Sequence, residues 1–196
     1  MQSDKTVWFL THNSDKYREA IAILTPMGLR VRHLNRSKVE IQDYRPENIA
    51  RFALKNAMHD NRKPILVEDS GLFIEALDGF PGPYSSFVYD TVGLKGVLAI
   101  LRGHRSRSAY FQATVGFGSP STQPRFFTGR VKGRISNRIL GKNGFGYDPI
   151  FIPEGYTRTF GQSSPSFKNT KSHRARAFRS FARWFVAQST SSTSTF

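Results

Sequence analysis

Two short apolar, β-prone runs on either side of one helix-shaped segment restrict the first 34 residues to a narrow choice of folds. Residues 6–11 (TVWFLT) read as a strand. Asn13 then stands where an N-cap belongs, and Tyr17, Ile21 and Leu24 follow at the spacing of a helical apolar stripe. Pro26 and Gly28 close that helix, and residues 29–34 form a second strand. Strand–helix–strand implies an α/β unit. The chain has 196 residues, which suits one domain that buries about two-thirds of its unfolded surface.

Later segments extend the pattern. Residues 46–58 read as a helix with Pro46 in its first turn and Ile49, Phe52, Ala53 and Ala57 turned inward. A buried strand at 64–67 empties into Glu68-Asp69-Ser70-Gly71, the shape of a site at a strand's C-terminal end. Two glycines and two prolines make residues 79–84 an irregular loop, and 92–101 a helix ended by Gly103. Strands at 108–118 and 125–134 pair as a hairpin across Gly118-Ser119-Pro120-Ser121. The last helix runs from an N-cap at Ser172 to about Gln188, with Phe178, Phe181, Ala182 and Phe185 as its core face and Arg176, Arg179 and Arg183 pointing elsewhere. Residues 1–188 are thus expected to form a single domain. The Ser/Thr tail of 189–196 buries too little to order itself.

Composition excludes several function classes. With no cysteine, disulfide frameworks, thiolate zinc sites, iron–sulfur clusters and cysteine nucleophiles are ruled out. No apolar run reaches the ~20 residues of a membrane span and no signal peptide is visible, so the expectation is a soluble cytoplasmic protein. Charge is uneven: the formal net charge is +15, yet residues 1–98 hold 13 basic and 12 acidic side chains, whereas 99–196 hold 16 basic and only two acidic ones, Asp148 and Glu154. So basic a half attracts polyanions, unless it is simply a solvated face.

Four clusters carry the chemistry. Thr11-His12-Asn13-Ser14-Asp15-Lys16 turns a strand into a helix, whose N-terminus with Lys16 one turn in suits a phosphate. Glu68-Asp69-Ser70-Gly71, with Glu40 upstream, offers hard oxygen donors to Mg²⁺ and a carboxylate able to take a proton from water. Taken singly, Glu40 reads as structural. Gly144-Phe145-Gly146-Tyr147-Asp148-Pro149 lets backbone approach a flat ring on which Phe145 can stack, and gives Asp148 a specific partner. Lys168-Asn169-Thr170-Lys171-Ser172-His173-Arg174 can hold polyphosphate, with His173 and Arg174 as donors to an oxo group on a base.

In this order, the four clusters resemble the inosine triphosphate pyrophosphatase family, which hydrolyses non-standard purine nucleoside triphosphates. The family's T-G-N-x-x-K is similar to residues 11–16, its D/E-D-S-G-L and P-G-x-Y-S to 68–72 and 81–85, its G-F-G-Y-D-P-I-F to 144–151, and its K-N-x-x-S-H-R to 168–174. The resemblance covers about residues 6–187. It implies an elongated, two-lobed α/β fold with a central mixed sheet, flanking helices and a cleft between lobes, and usually a homodimer. The implied reaction converts ITP, dITP or XTP to the monophosphate and pyrophosphate with Mg²⁺. By motif position Asp69 would accept the proton and bind metal, with Glu40 as a further ligand. Thr11, Asn13, Lys16, Ser70 and Lys168 would meet phosphates or sugar, and Phe145, Gly146, Tyr147, Asp148, His173 and Arg174 the base. Donors at His173 or Arg174 match the 6-oxo group and face the 6-amino group of adenine unfavourably.

Three departures stand out. His12 replaces a glycine, where it adds a donor or narrows the phosphate site, Gln162 stands at a usual glutamate, and Ser166-Phe167 replaces a usually acidic pair. The last two remove negative charge expected near the cleft. The alternative function is a basic nucleic-acid-binding module on the same fold, drawing on arginines such as Arg102, Arg105, Arg107, Arg174, Arg176, Arg179 and Arg183.

Overall fold

The computed structural model describes residues 5–37, 39, 41–59, 61–120 and 122–191, with side chains to residue 188. Strand β1 (Thr6–Leu10) leads into helix α1 (Ser14–Leu24), and a turn ending at Gly28, with φ 82°, returns the chain to β2 (Arg30–Leu34). Asn13 caps α1: its Oδ1 accepts from the N–H groups of Asp15 and Lys16 at 2.9 and 3.0 Å. The buried face of α1 is Ala20, Ile23 and Leu24, while Ile21 is 36% exposed. Helix α2 (Pro46–Met58) then buries Ile49, Ala53 and Ala57 together with Ala50 and Leu54, leaving Phe52 half-buried.

Strand β3 (Ile65–Ile74) does not stop at the acidic residues, as the sequence pattern suggested. Its parallel pairing with β1 ends at Leu10↔Val67, but β5 (Ser108–Ser119) pairs with it antiparallel from Ile65↔Gly118 to Ile74↔Ala109. A full ladder of partner bonds thus outweighs the poor strand propensity of Glu68-Asp69-Ser70-Gly71. Pro81 and Gly82, expected in irregular loop, form a two-residue strand β4 on Phe73 and Leu72. A Cβ on Gly71 would come within 2.1 Å of the Gly82 carbonyl oxygen, so only glycine allows this approach.

Helix α4 (Gly93–Ile100) is the helix expected at 92–101, and a further helix, α3 (Ser85–Thr91), precedes it, the two separated by left-handed backbone at Gly93. β5 and β6 (Thr122–Ile135) form the anticipated hairpin, β7 (Phe151–Pro153) adds to β6, and the order is β2-β1-β3-β5-β6-β7 with β4 on β3. The chain ends with α5 (Pro165–Lys171) and α6 (His173–Ser191), broken at Ser172, whose hydroxyl accepts from the Ala175 N–H. α6 therefore enters the Ser/Thr stretch; residues 192–196 lie outside the described set.

Three cores organise this sheet. α1 and α6 cover one face through Phe9, Leu24, Phe117, Phe178 and Phe181. α2 covers the other through Leu10, Leu54, Ile65 and Val67. Beyond the end of β1, a further core joins α3 and α4 to Phe111, Ile135, Ile150, Phe151 and Phe160. The sheet is mixed and helix-flanked, and β3, β5 and β6 run through both ends. The cleft opens between them, where β1 stops and β3 continues.

Candidate active site

The cleft measures about 640 Å³, within the ordinary range for small-molecule sites. From the first motif it is lined by Thr11, His12, Asn13 and Lys16; from β3, by Asp69 and Ser70. The turn before β7 supplies Phe145, Gly146, Tyr147 and Asp148, and the last two helices supply Lys168, His173 and Arg174. Four clusters scattered over 160 residues of sequence thus share one cavity. Glu40 lies outside the described residues.

Side chains alternate along a strand, so Glu68 and Ser70 stand on the α1/α6 face of β3 and Asp69 on the α2 face. Both Asp69 and Ser70 reach the cavity because β1 no longer covers that edge. In and just behind the wall, six charges form one closed set. Lys16 Nζ lies 2.8 Å from Glu68 Oε2. The Arg174 guanidinium donates to Glu68 Oε1 at 3.1 Å, Glu19 Oε2 at 2.6 Å and Ser70 Oγ at 2.9 Å. Lys168 Nζ meets Glu19 Oε1 at 2.7 Å and also donates to Asp148 Oδ2. Burial opposes ionisation of Glu68, yet Arg174 and Lys16 prevail and hold its carboxyl well below the usual range. Glu19 is likewise lowered by Arg174 and Lys168 against its burial. Formally three cations and three carboxylates cancel, with burial raising the Asp148 carboxyl above its ordinary value despite Lys168 beside it.

His173 is 3% exposed and stacks on Phe111 with ring centroids 4.6 Å apart. Burial and the neighbouring Arg174 and Lys168 push its pKa well below the usual histidine value, so the imidazole is neutral. Among the described residues its Nδ1 has no hydrogen-bond partner, which leaves one polar ring atom for a ligand in the cavity. Asp148 organises the glycine-rich turn: it accepts from the Phe145 N–H at 2.8 Å as well as from Lys168, the partner its position called for. Tyr147 donates to the Ser85 carbonyl at 2.8 Å, and burial with Asp90 nearby keeps the phenol protonated. His12 Nε2 donates to the Arg36 carbonyl at 3.1 Å, tying the first turn to the segment after β2. The Asp15 and Lys16 N–H groups are taken by the Asn13 cap, so the positive features left at the start of α1 are Lys16 and the helix dipole.

Charge in the cavity runs against the composition. Four carboxylates line it (Asp15, Asp69, Asp90 and Asp148) against three permanent cations, Lys16, Lys168 and Arg174. Gln162 is not part of the lining: it completes a capping box with Thr159, its Oε1 accepting from the Thr159 N–H at 3.1 Å. The Ser166-Phe167 pair is also outside it. Neither departure therefore explains the cleft's charge.

A model of the Ham1 family matches residues 7–184. The chain belongs to the Ham1 family. The dITP/XTP pyrophosphatase of Methanopyrus kandleri is 45% identical over 179 residues, 91% of this chain and 95% of that protein. That of Saccharolobus solfataricus is 47% identical over 175 residues, 89% and 91% of the two chains. Among solved structures, the Staphylococcus aureus Ham1 protein superposes with a TM-score of 0.82 at 26% identity, covering 94% of this chain and all of the other.

Several residues in or behind the Ham1 cleft escape a linear reading. Glu19 sits one turn beyond Lys16 on α1 and shares its face, a signal that is present but weak. Phe111 follows from alternation along β5, whereas Ser86, Tyr89 and Asp90 sit on or near α3, which the sequence pattern does not reveal.

Proposed function

We propose that this Ham1 protein hydrolyses dITP, XTP and ITP to the monophosphate and pyrophosphate. The observation that supports this most is the single cavity shared by the four motif clusters, in a chain more than 40% identical to curated dITP/XTP pyrophosphatases over about nine-tenths of its length. No observation favours a nucleic-acid-binding module. The same reading carries a cytoplasmic setting and a homodimer, the latter checked by sedimentation velocity.

In this mechanism the triphosphate lies against Thr11, Asn13 and Lys16, with Ser70 as a further donor. Asp69 takes a proton from the attacking water as its oxygen bonds to the α-phosphorus, and the bond from that phosphorus to the bridging oxygen breaks, releasing pyrophosphate. Phe145 and the neutral His173 receive the purine; an imidazole N–H suits a 6-oxo acceptor and meets the 6-amino group of adenine donor to donor. A divalent cation fits the donor set, because a carboxylate-rich lining cannot hold a polyanion without added positive charge. Asp69 would hold Mg²⁺, with Glu40 by motif position, alongside waters and substrate oxygens. When bound, the ion neutralises charge developing on the phosphates.

Incubation with Mg²⁺ and parallel ITP, XTP, dITP, ATP and GTP, following pyrophosphate, tests this reading. Turnover of ATP at the rate of ITP would remove the base-pocket assignment. Orthophosphate as the first product would remove attack at the α-phosphorus.

A further inference from the structure

A second cavity, of about 290 Å³, lies where β6 ends beside β7 and shares no lining residue with the cleft. Arg107, Arg134 and Arg138 line it together with apolar walls from Ile135, Leu140 and Ile152. Among the described residues its lining holds no carboxylate, and none of the three arginines forms an ion pair. Residues 99–196 have only two acids to offer. Asp148 is held by Lys168 and the Phe145 N–H, and Glu154 is not part of the lining. The cleft sets four carboxylates against three permanent cations; this pocket sets none against three.

Arg107 is held in place rather than left to sweep solvent. Its Nε and Nη2 donate to the Ile135 and Ser136 carbonyls at 2.8 and 2.7 Å, and its own carbonyl accepts from the Ile135 N–H at 2.8 Å. The Ser136 hydroxyl donates to the Arg138 carbonyl at 2.6 Å, which fixes the following turn. Neutral carbonyls thus take two of the five guanidinium N–H groups, and three remain. Burial lowers the pKa of Arg107, as it does for a partly desolvated cation with no counter-ion beside it. Three guanidiniums around one small cavity suit a group with several charges and several oxygens. A phosphomonoester carries about −1.5 to −2 at neutral pH and three outward oxygens, whereas a carboxylate offers one charge and two. The volume is at the lower end of ligand cavities, and its apolar walls suit a small hydrophobic or planar body. We propose that this pocket is a second ligand site, which binds a small phosphomonoester with its phosphate among Arg107, Arg134 and Arg138 and its body against Ile135, Leu140 and Ile152. The site stands apart from the cleft and does not depend on what the cleft hydrolyses.

The test uses phenyl phosphate, titrated into the full chain without metal or nucleotide and followed residue by residue through backbone amide shifts. Saturable shifts are expected at Arg107 and across residues 135–138. Arg134→Gln combined with Arg138→Gln changes no cleft group, and is expected to weaken binding at these residues at least ~10-fold through the loss of charge-assisted hydrogen bonds. Its far-ultraviolet circular dichroism is expected to match wild type. Diphenyl phosphate, a phosphodiester with one charge, and benzoate, a carboxylate, are each expected to bind at least ~10-fold more weakly than the monoester. Shifts confined to cleft residues such as Lys16 and Lys168 overturn the proposal, as do shifts at 135–138 that never saturate or an affinity unchanged in the double variant. Equal binding of diphenyl phosphate or benzoate overturns the phosphomonoester class. Because neither probe nor variant touches the cleft chemistry, a protein that fails to cleave dITP leaves this inference standing.

Discussion

Arg174 and Arg134 are both arginines of the basic half, and they live in opposite electrostatic worlds. Arg174 is 2% exposed and satisfied by Glu68, Glu19 and Ser70. Arg134, on β6, is exposed, as are Arg102, Arg105, Lys132 and Arg138. The surplus charge of the chain lies on such surface positions, while the cleft holds its cations in a neutral lattice of carboxylates. Composition alone thus points polyanion binding at the wrong part of the molecule. On the proposed function, what prepares the cleft for a triphosphate is the placement of a few paired charges whose dielectric surroundings strengthen each contact.

That contrast can be broken most severely at the chemistry itself. Asp69→Asn is expected to lower pyrophosphate release by about 10³-fold with the far-ultraviolet circular dichroism unchanged, since positioned proton transfer contributes roughly 10²–10⁴. Next in size is the lattice. Arg174→Met leaves Glu68 and Glu19 short of their shared cation, and is expected to cost about 3–5 kcal/mol in urea unfolding, the range for breaking a buried pair. Arg134→Ala, by contrast, is expected to stay within about 0.5 kcal/mol.

Acid sharpens the same comparison. The pKa of His173 is lowered by folding, so below about pH 6.5 the unfolded chain binds a proton that the native imidazole refuses. Stability is expected to fall by up to about 1.4 kcal/mol per pH unit from there downwards. Glu19 and Glu68, lowered in the native state, add their stability only above the ordinary carboxylate range and lose it as pH falls through their depressed values. His173→Phe is expected to flatten the slope between about pH 6.5 and 5 in thermal unfolding, leaving the deeper acid transition in place. The smallest effect belongs to the surface. Replacing Arg102, Arg105, Lys132, Arg134 and Arg138 by Gln should change kcat/KM for dITP by less than about threefold at 0.15 M salt, where the Debye length is about 8 Å.

Particular residues show how far the sequence is readable. Asn13 caps α1 as anticipated, and Ser119 and Thr122 close the β5–β6 hairpin as its turn signals require. Spacing alone puts Ile21 on the apolar stripe of α1, whereas tertiary packing buries Ala20 and Ile23 instead. Helix α3 is hidden beside a Gly- and Pro-rich stretch, and α5 because Pro165 and Ser164 mark a helix start only when a helix follows. In the site, every candidate residue within the described set lines the cavity, since each belongs to a compact motif. Glu19 and Glu68 carry no comparable local signature of pairing.

By itself, the sequence determined the α/β character, the order of most elements, the four chemical clusters and membership of the Ham1 family, all of which are properties of short range or of motif order. Only the tertiary structure decided that β3 runs on past β1, that the cleft opens at that step, and that its cations are matched by carboxylates. Arg174 lies 106 residues from Glu68 and 155 from Glu19 in the chain, and meets both within 3.1 Å. Periodicity and propensity report on neighbours a few positions apart; a pairing across such separations exists only once the sheet and α6 have been packed together.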